Sequence, residues 1–384
     1  MSERSAHAEF QGTSKRTWAE IDLSRIESNL AVYRLSLPSG FDITAVVKAN
    51  AYGHGDIRVA GRLAACGVDS FAVATLDEAI RLRQSGIAGE ILVLGYTSPE
   101  LMGLAVEHGI TQTLVDSFYA ERLSVLPFHR EIKVQYAVDT GMNRIGLDGD
   151  DPRACLRDIY RAAKDFNLTG IYTHLSAADG VGRVEREFTC RQIESFARIA
   201  RGSASLGIKA HCLNSAGGLC YSDLPPEISK TVRLGIALYG LKPSSEIVLP
   251  EGIAPALSWY ARVSAVKSVR RGEHIGYGLT YTADRPRLIA TVTVGYADGY
   301  SRIASGRAYL LINGQRAPVV GRVCMDQLMV DVTLHSHVRA GDEAVLIGKS
   351  GGEILTADML AETVGTIGYE VLCGISERVE RVYS

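Results

Sequence analysis

The seven cysteines of this chain form no C-x-x-C pair, and their number is odd. That disfavours both a disulfide framework and a zinc knuckle, and suits a reducing cytoplasm. Charge of one sign is also missing in bulk. The 41 basic and 43 acidic residues leave a net charge of −2 with no long like-charged run, which argues against nucleic acid as a partner. No apolar stretch reaches membrane-spanning length, and the opening MSERSAHAEFQGTSKR has no apolar centre. Neither a membrane anchor nor a secretory signal is expected. Internal repeats and low-complexity tracts are absent.

What is present is a well-mixed globular composition, 46% hydrophobic and 22% charged over 384 residues. This exceeds the usual single-core size and predicts a large domain with a smaller one. From residue 41 to 240, short β-branched runs alternate with segments of helical period. The short runs span 43–47, 71–74, 91–94, 112–115, 134–138, 168–172, 210–213 and 232–238, with helices expected at 57–66, 76–84, 117–126, 152–166 and 184–201. Eight such units suit a (β/α)8 TIM-type barrel better than an open sheet. After Pro243 the texture turns to strands and tight turns, with Asn313-Gly314 a strong hairpin signal. Further strands are expected at 258–268, 287–294, 327–332, 344–347 and 375–382. The expected division is a polar tail over 1–17, a barrel over 18–249 and a mainly β domain over 250–384. The early TWAEID segment suits either domain.

In such a barrel, polar residues just past the strands' C-terminal ends form the active face. Lys48, in AVVKANAYGHG, ends the first apolar run. It is either a lysine whose stem snorkels from the core or an amine able to form a Schiff base. Tyr52, His54 and two glycines follow in a loop that suits a phosphorylated ligand. His174, Asn214, Ser215 and Arg233 close later strands; each alone also reads as an ordinary core, turn or surface residue. His335 and His337 lack further ligands at metal-binding spacing, so no metal site is expected.

Taken together, AVVKANAYGHG, DTGMNRIGL, YTHLSAADG, HCLNSAGG, VRLGIALYG, IGYGLTYTA, VGYADGYSR, GRVCMDQLMVDV and GYEVLCGIS resemble the alanine racemases, in matching order over nearly the whole chain. The resemblance implies a barrel followed by a β domain, pyridoxal 5′-phosphate (PLP) as cofactor, and a homodimer with shared active sites. It implies that Lys48 anchors PLP as a Schiff base and that Tyr277, from the partner subunit, is the second acid/base. Two bases on opposite faces account for inversion of configuration. It further implies phosphate contacts from Tyr52, Ser215, Gly235, Ile236 and Tyr369. Arg233 would lie at the pyridine nitrogen, in a chain with His174 and Tyr277. The substrate carboxylate would meet Arg144 and the Met325 backbone, with Asn214 and Asp326 as orienting groups and Tyr296 narrowing the entrance. The implied reaction is interconversion of L- and D-alanine, for peptidoglycan or for alanine catabolism.

Two departures stand out. Many family members carry a modified lysine seven residues before the Arg144 position, and here that residue is Ala137. Gly180 replaces a commonly acidic residue. Racemisation of serine or of a broader amino-acid range stays open, because pockets reject one added hydroxyl weakly. A PLP-dependent decarboxylase of the same architecture is the other enzyme reading, opposed by Arg233 where such enzymes place a carboxylate. A non-catalytic PLP-handling barrel would leave Tyr277 and VCMDQ unexplained.

Overall fold

The computed structural model describes residues 16–335 and 337–384. Residues 1–15 of the expected polar tail lie outside the described residues. The chain forms two compact units: Leu23–Pro255, and a second made of Ala256–Ser384 with the described residues up to Asp22.

In the first unit eight strands pair in parallel. They are Asp42–Val46, Ser70–Val73, Glu90–Val93, Thr111–Leu114, Lys133–Asp139, Asn167–Tyr172, Lys209–His211 and Thr231–Leu234. The first seven pair in succession, and the eighth pairs with the first, Thr231 opposite Asp42. Between the seventh and eighth, closure rests on one parallel bridge, Leu213 to Val232, with the Arg233 amide donating to the Leu213 carbonyl at 2.9 Å. The eighth strand stops at Leu234 instead of running to 238, because Gly235 leaves extended geometry and a 3-10 turn follows at Ile236–Tyr239. Local chemistry sets several helix starts. Thr75 and Glu78 form a reciprocal capping box for Leu76–Gln84, while Asp151 caps Pro152–Asp165 with proline in its first turn.

In the second unit Leu257–Val269 is the central strand. It pairs antiparallel with Thr17–Ile21, Arg287–Val292 and Glu343–Ser350. Glu343–Ser350, Tyr309–Ile312, Gln315–Val320, Leu328–Asp331 and Arg287–Val292 pair in turn, so the sheet closes on itself through Leu257–Val269. Asn313 and Gly314 adopt φ of 51° and 78°, the left-handed pair that a two-residue hairpin demands.

Three boundaries differ from those read in the sequence. TWAEID lies in the second unit, paired with Leu257–Val269 and in parallel with Glu380–Tyr383. The barrel therefore begins at Leu23, not 18, and the linker to the β unit falls at Pro255–Ala256 instead of 249–250. The expected strand at 375–382 is only Glu380–Tyr383. Its first half is a turn whose Ile375, Ser376 and Val379 carbonyls accept from the Arg381 guanidinium.

Candidate active site

Lys48 follows the first barrel strand and is half-buried. Immediately after it, Ala49, Asn50, Ala51 and Tyr52 hold φ of 52°, 54°, 52° and 52°, a left-handed turn built without glycine. Each such residue costs roughly 1–2 kcal/mol, so the surroundings must impose the shape. Glu78 Oε1 accepts the Ala49 amide at 2.6 Å, and Asn50 Oδ1 accepts the Asp56 amide at 3.0 Å. His54, fully buried, points Nδ1 at the Ala51 and Tyr52 carbonyls from 3.1 and 3.0 Å, which makes it the Nδ1–H donor. Its ring packs on Tyr239, whose hydroxyl donates to the Val46 carbonyl at 2.8 Å. His54 thus braces the turn.

The turn brings Tyr52 to the eighth strand's end. A Cβ on Gly235 would stand 2.9 Å from Tyr52 Oη and 3.7 Å from Ser215 Oγ, so glycine keeps open a cradle edged by two hydroxyls. The Gly235 amide donates to Ser215 Oγ at 2.9 Å. Asn214 is occupied in scaffolding: Oδ1 caps the Ser215–Cys220 helix at the Gly217 amide, and Nδ2 donates to the Leu175 carbonyl. Ile236 is buried and opens the 3-10 turn.

Arg233 is buried beneath the mouth. Its Nη1 donates to His211 Nδ1 at 2.6 Å, and Nη2 donates to the Thr173 carbonyl at 2.6 Å and faces His174 Nδ1 at 3.4 Å. Its Cζ lies 5.1 Å from the Tyr172 ring centroid. Burial, then Arg233, Arg144 and Lys48, lower the His174 pKa to about 3. The imidazole is therefore neutral at physiological pH. Burial and Arg233 likewise hold His211 well below the usual histidine range.

Arg144 is exposed, at the end of a loop in which Asp139 Oδ1 accepts the Gly141 and Asn143 amides at 2.9 and 3.0 Å. Ala137 is buried, and among the described residues no carboxylate pairs with Arg144. Near Gly180 the structure supplies its own carboxylate: the Glu185 side chain folds so closely over Gly180 and Gly182 that a Cβ on either glycine would strike it.

The remaining expected residues lie on the β unit. Tyr277 is 70% exposed on a short 3-10 turn entered through Gly276 at φ 74°. Tyr296 and Met325 sit on two loops zipped together. The Tyr296 amide donates to the Cys324 carbonyl and the Ala297 amide to the Met325 carbonyl, both at 3.0 Å. Asp326 accepts from Arg378 at 2.6 Å. Tyr369 is half-buried on the Gly368–Cys373 helix. Sequence reading passed over a clamp beneath these loops: Asp298, fully buried, pairs with Arg16 and Arg378 and accepts the Gly295 amide at 2.9 Å. The Asp in VGYADGY was its only signal. His211 was likewise quoted in HCLNSAGG without a role. No group of three potential metal ligands occurs among the described residues, and no described helix is long and apolar enough to cross a membrane.

A lysine at the end of the first barrel strand, a buried guanidinium on the eighth and a glycine cradle edged by the Tyr52 and Ser215 hydroxyls suit an enzyme that takes a small anionic ligand. Family profiles described as alanine racemase, N-terminal domain, and alanine racemase, C-terminal domain, match residues 21–243 and 256–383. The alanine racemase of Geobacillus kaustophilus (strain HTA426) is 41% identical over 374 residues, 96% of this chain and 94% of that protein. The solved alanine racemase of Clostridium difficile 630 is 37% identical with a TM-score of 0.89, covering 97% of this chain and 96% of that one. The Bartonella henselae alanine racemase structure, which carries covalently bound pyridoxal phosphate, is 28% identical with a TM-score of 0.84, covering 96% and 99%. The chain belongs to the alanine racemase family, isomerases that interconvert L- and D-alanine.

Proposed function

We propose that this chain racemises alanine with PLP bound at the barrel mouth, using Lys48 and Tyr277 as proton carriers on opposite faces of the substrate. The observation that carries the reading is the cradle that Gly235 leaves open between the Tyr52 and Ser215 hydroxyls, on the same strand end as the buried Arg233, whose Nη2 faces His174 Nδ1 at 3.4 Å. A phosphate needs hydroxyls and amides without bulk, and the cradle has Tyr52 and Ser215 hydroxyls where a Cβ would intrude. A carboxylate needs a fork donor, and among the described residues no carboxylate pairs with Arg144. The residues fit the cofactor and the substrate.

Bound PLP would supply electron withdrawal that makes the substrate's α-proton removable. The protein would do the rest. Lys48 would anchor the cofactor and carry a proton at one face of Cα. Tyr277 would carry one at the other, from a second copy in a homodimer, and Tyr369 would join Tyr52 and Ser215 at the phosphate. Arg233, a donor that does not give up its proton, would face the ring nitrogen and leave it unprotonated. Arg144 and the Met325 amide would grip the carboxylate, Asp326 would orient the Met325 loop, and Tyr296 would narrow the entrance. The product D-alanine would serve peptidoglycan, or the reverse reaction alanine breakdown, in the cytoplasm.

The test is incubation of the purified protein with L-alanine, and separately D-alanine, in deuterated water, with L-serine as a comparison substrate. Inversion of alanine with one α-deuterium per turnover is expected. Exchange without inversion, or release of carbon dioxide, would sink the reading.

A further inference from the structure

Arg233 is held from below by a line of polar side chains. Glu90, the first residue of the third barrel strand, places Oε1 3.0 Å from Gln135 Nε2 and Oε2 3.3 Å from Lys209 Nζ. Gln135 Oε1 lies 2.8 Å from His211 Nε2, and His211 Nδ1 lies 2.6 Å from Arg233 Nη1. Gln135, His211 and Arg233 are 2%, 3% and 3% exposed, so water does not compete with the bonds among these three.

The direction of every bond in this line is fixed by its ends. A carboxylate only accepts, so Gln135 must turn its amide nitrogen to Glu90 and its oxygen to His211. An amide oxygen only accepts, so His211 must carry its proton on Nε2. Its Nδ1 is then free to accept from Arg233, a group that only donates. The His211 ring is further clamped by stacking on Tyr172 at 5.3 Å and 19°.

We propose that Glu90, Gln135 and His211 are positioning residues, a hydrogen-bonded line from the floor of the barrel to its mouth that orients the Arg233 guanidinium. This rests on the reading that Arg233 faces the cofactor ring. The line's weak point is directional rather than steric. If Glu90 becomes glutamine, the residue at 90 can donate as well as accept. Gln135 can then reverse and present its NH2 to His211. An imidazole receiving at Nε2 carries its proton on Nδ1, against the Arg233 donor. A near-isosteric change at the far end of the barrel would thereby loosen the guanidinium.

The experiment combines 15N NMR of histidine-labelled full-length enzyme with steady-state kinetics of Glu90→Gln, Gln135→Leu and Glu90→Asp. In the parent enzyme His211 is expected as a single neutral Nε2–H tautomer. Glu90→Gln is expected to give mixed or broadened His211 signals and a three- to tenfold lower kcat, with KM for alanine within twofold. Glu90→Asp, which keeps an acceptor-only group, restores the single tautomer. Gln135→Leu is expected to lower kcat at least tenfold; should it fail to fold, Glu90→Gln carries the test. A parent His211 protonated on Nδ1, or Glu90→Gln with unchanged His211 signals and kcat, would overturn the line. The NMR signature does not read the cofactor. A parent enzyme that does not bind PLP would therefore sink the functional reading while leaving that signature intact.

Discussion

His174 Nδ1 lies 3.4 Å from Nη2 of Arg233, and that imidazole is neutral down to about pH 3 because burial and the adjacent cations oppose its protonation. In the unfolded chain the same side chain protonates near pH 6.5. The unfolded state therefore binds the extra proton between about pH 6.5 and 3, and this contribution to stability is complete above 6.5 and declines as pH falls through that window. His211 is lowered in the same sense. Together they predict a loss of roughly 1 kcal/mol per pH unit for each imidazole. Urea midpoints measured from pH 7 to pH 4 should fall more steeply for the parent than for His174→Asn.

Glu78 bridges two structural tasks. Its Oε2 accepts the Ala74 amide at 2.7 Å and its Oε1 accepts the Ala49 amide, so it both caps a helix and braces the left-handed turn after Lys48. Glu78→Ala is predicted to destabilise the protein by about 2 kcal/mol and to speed loss of PLP on dialysis. Glu78→Gln should retain most of both properties. Thermal melts and residual cofactor absorbance measure the two effects.

The cradle gives a paired test. Gly235→Ala places a methyl group 2.9 Å from Tyr52 Oη and is expected to weaken PLP binding at least tenfold in equilibrium titration. Tyr52→Phe removes the atom that the methyl group meets. The double variant should bind PLP no more weakly than Tyr52→Phe alone if the clash is the cause.

Beneath the β-unit loops, Asp298→Ala removes a fully buried carboxylate from between Arg16 and Arg378. Both guanidiniums retain partial access to water, so the cost belongs at the lower end of that for breaking a buried pair, about 3 kcal/mol. Turnover should fall beyond what the lost stability explains, because Tyr296 and Met325 share those loops. Melting and kcat at a temperature where the variant is folded separate the two effects.

Much of the barrel was legible because its strands are β-branched runs closed by polar residues, and because capping groups such as Thr75 and Glu78 advertise where Leu76–Gln84 begins. Asn313-Gly314 announced its hairpin through backbone chemistry alone. The turn after Lys48 was not legible, since of its four left-handed residues only Asn50 is of a type that visits that region readily, and Ala49, Ala51 and Tyr52 are held there by distant groups. TWAEID could have entered either sheet, as an apolar strand does not name its partner. Lys48, Tyr52, Arg233 and Gly235 stood out through the family resemblance more than by residue type. Gln135 and Asp298 are polar residues whose importance exists only once the chain has folded around them.

The most direct test of the two-base account is Tyr277→Phe in deuterated water. With Lys48 as the remaining proton carrier, the variant should exchange the α-proton of one alanine enantiomer without inverting it and leave the α-proton of the other in place. Equal exchange of both enantiomers, or continued inversion at the parent rate, would contradict the assignment of Lys48 and Tyr277 to opposite faces.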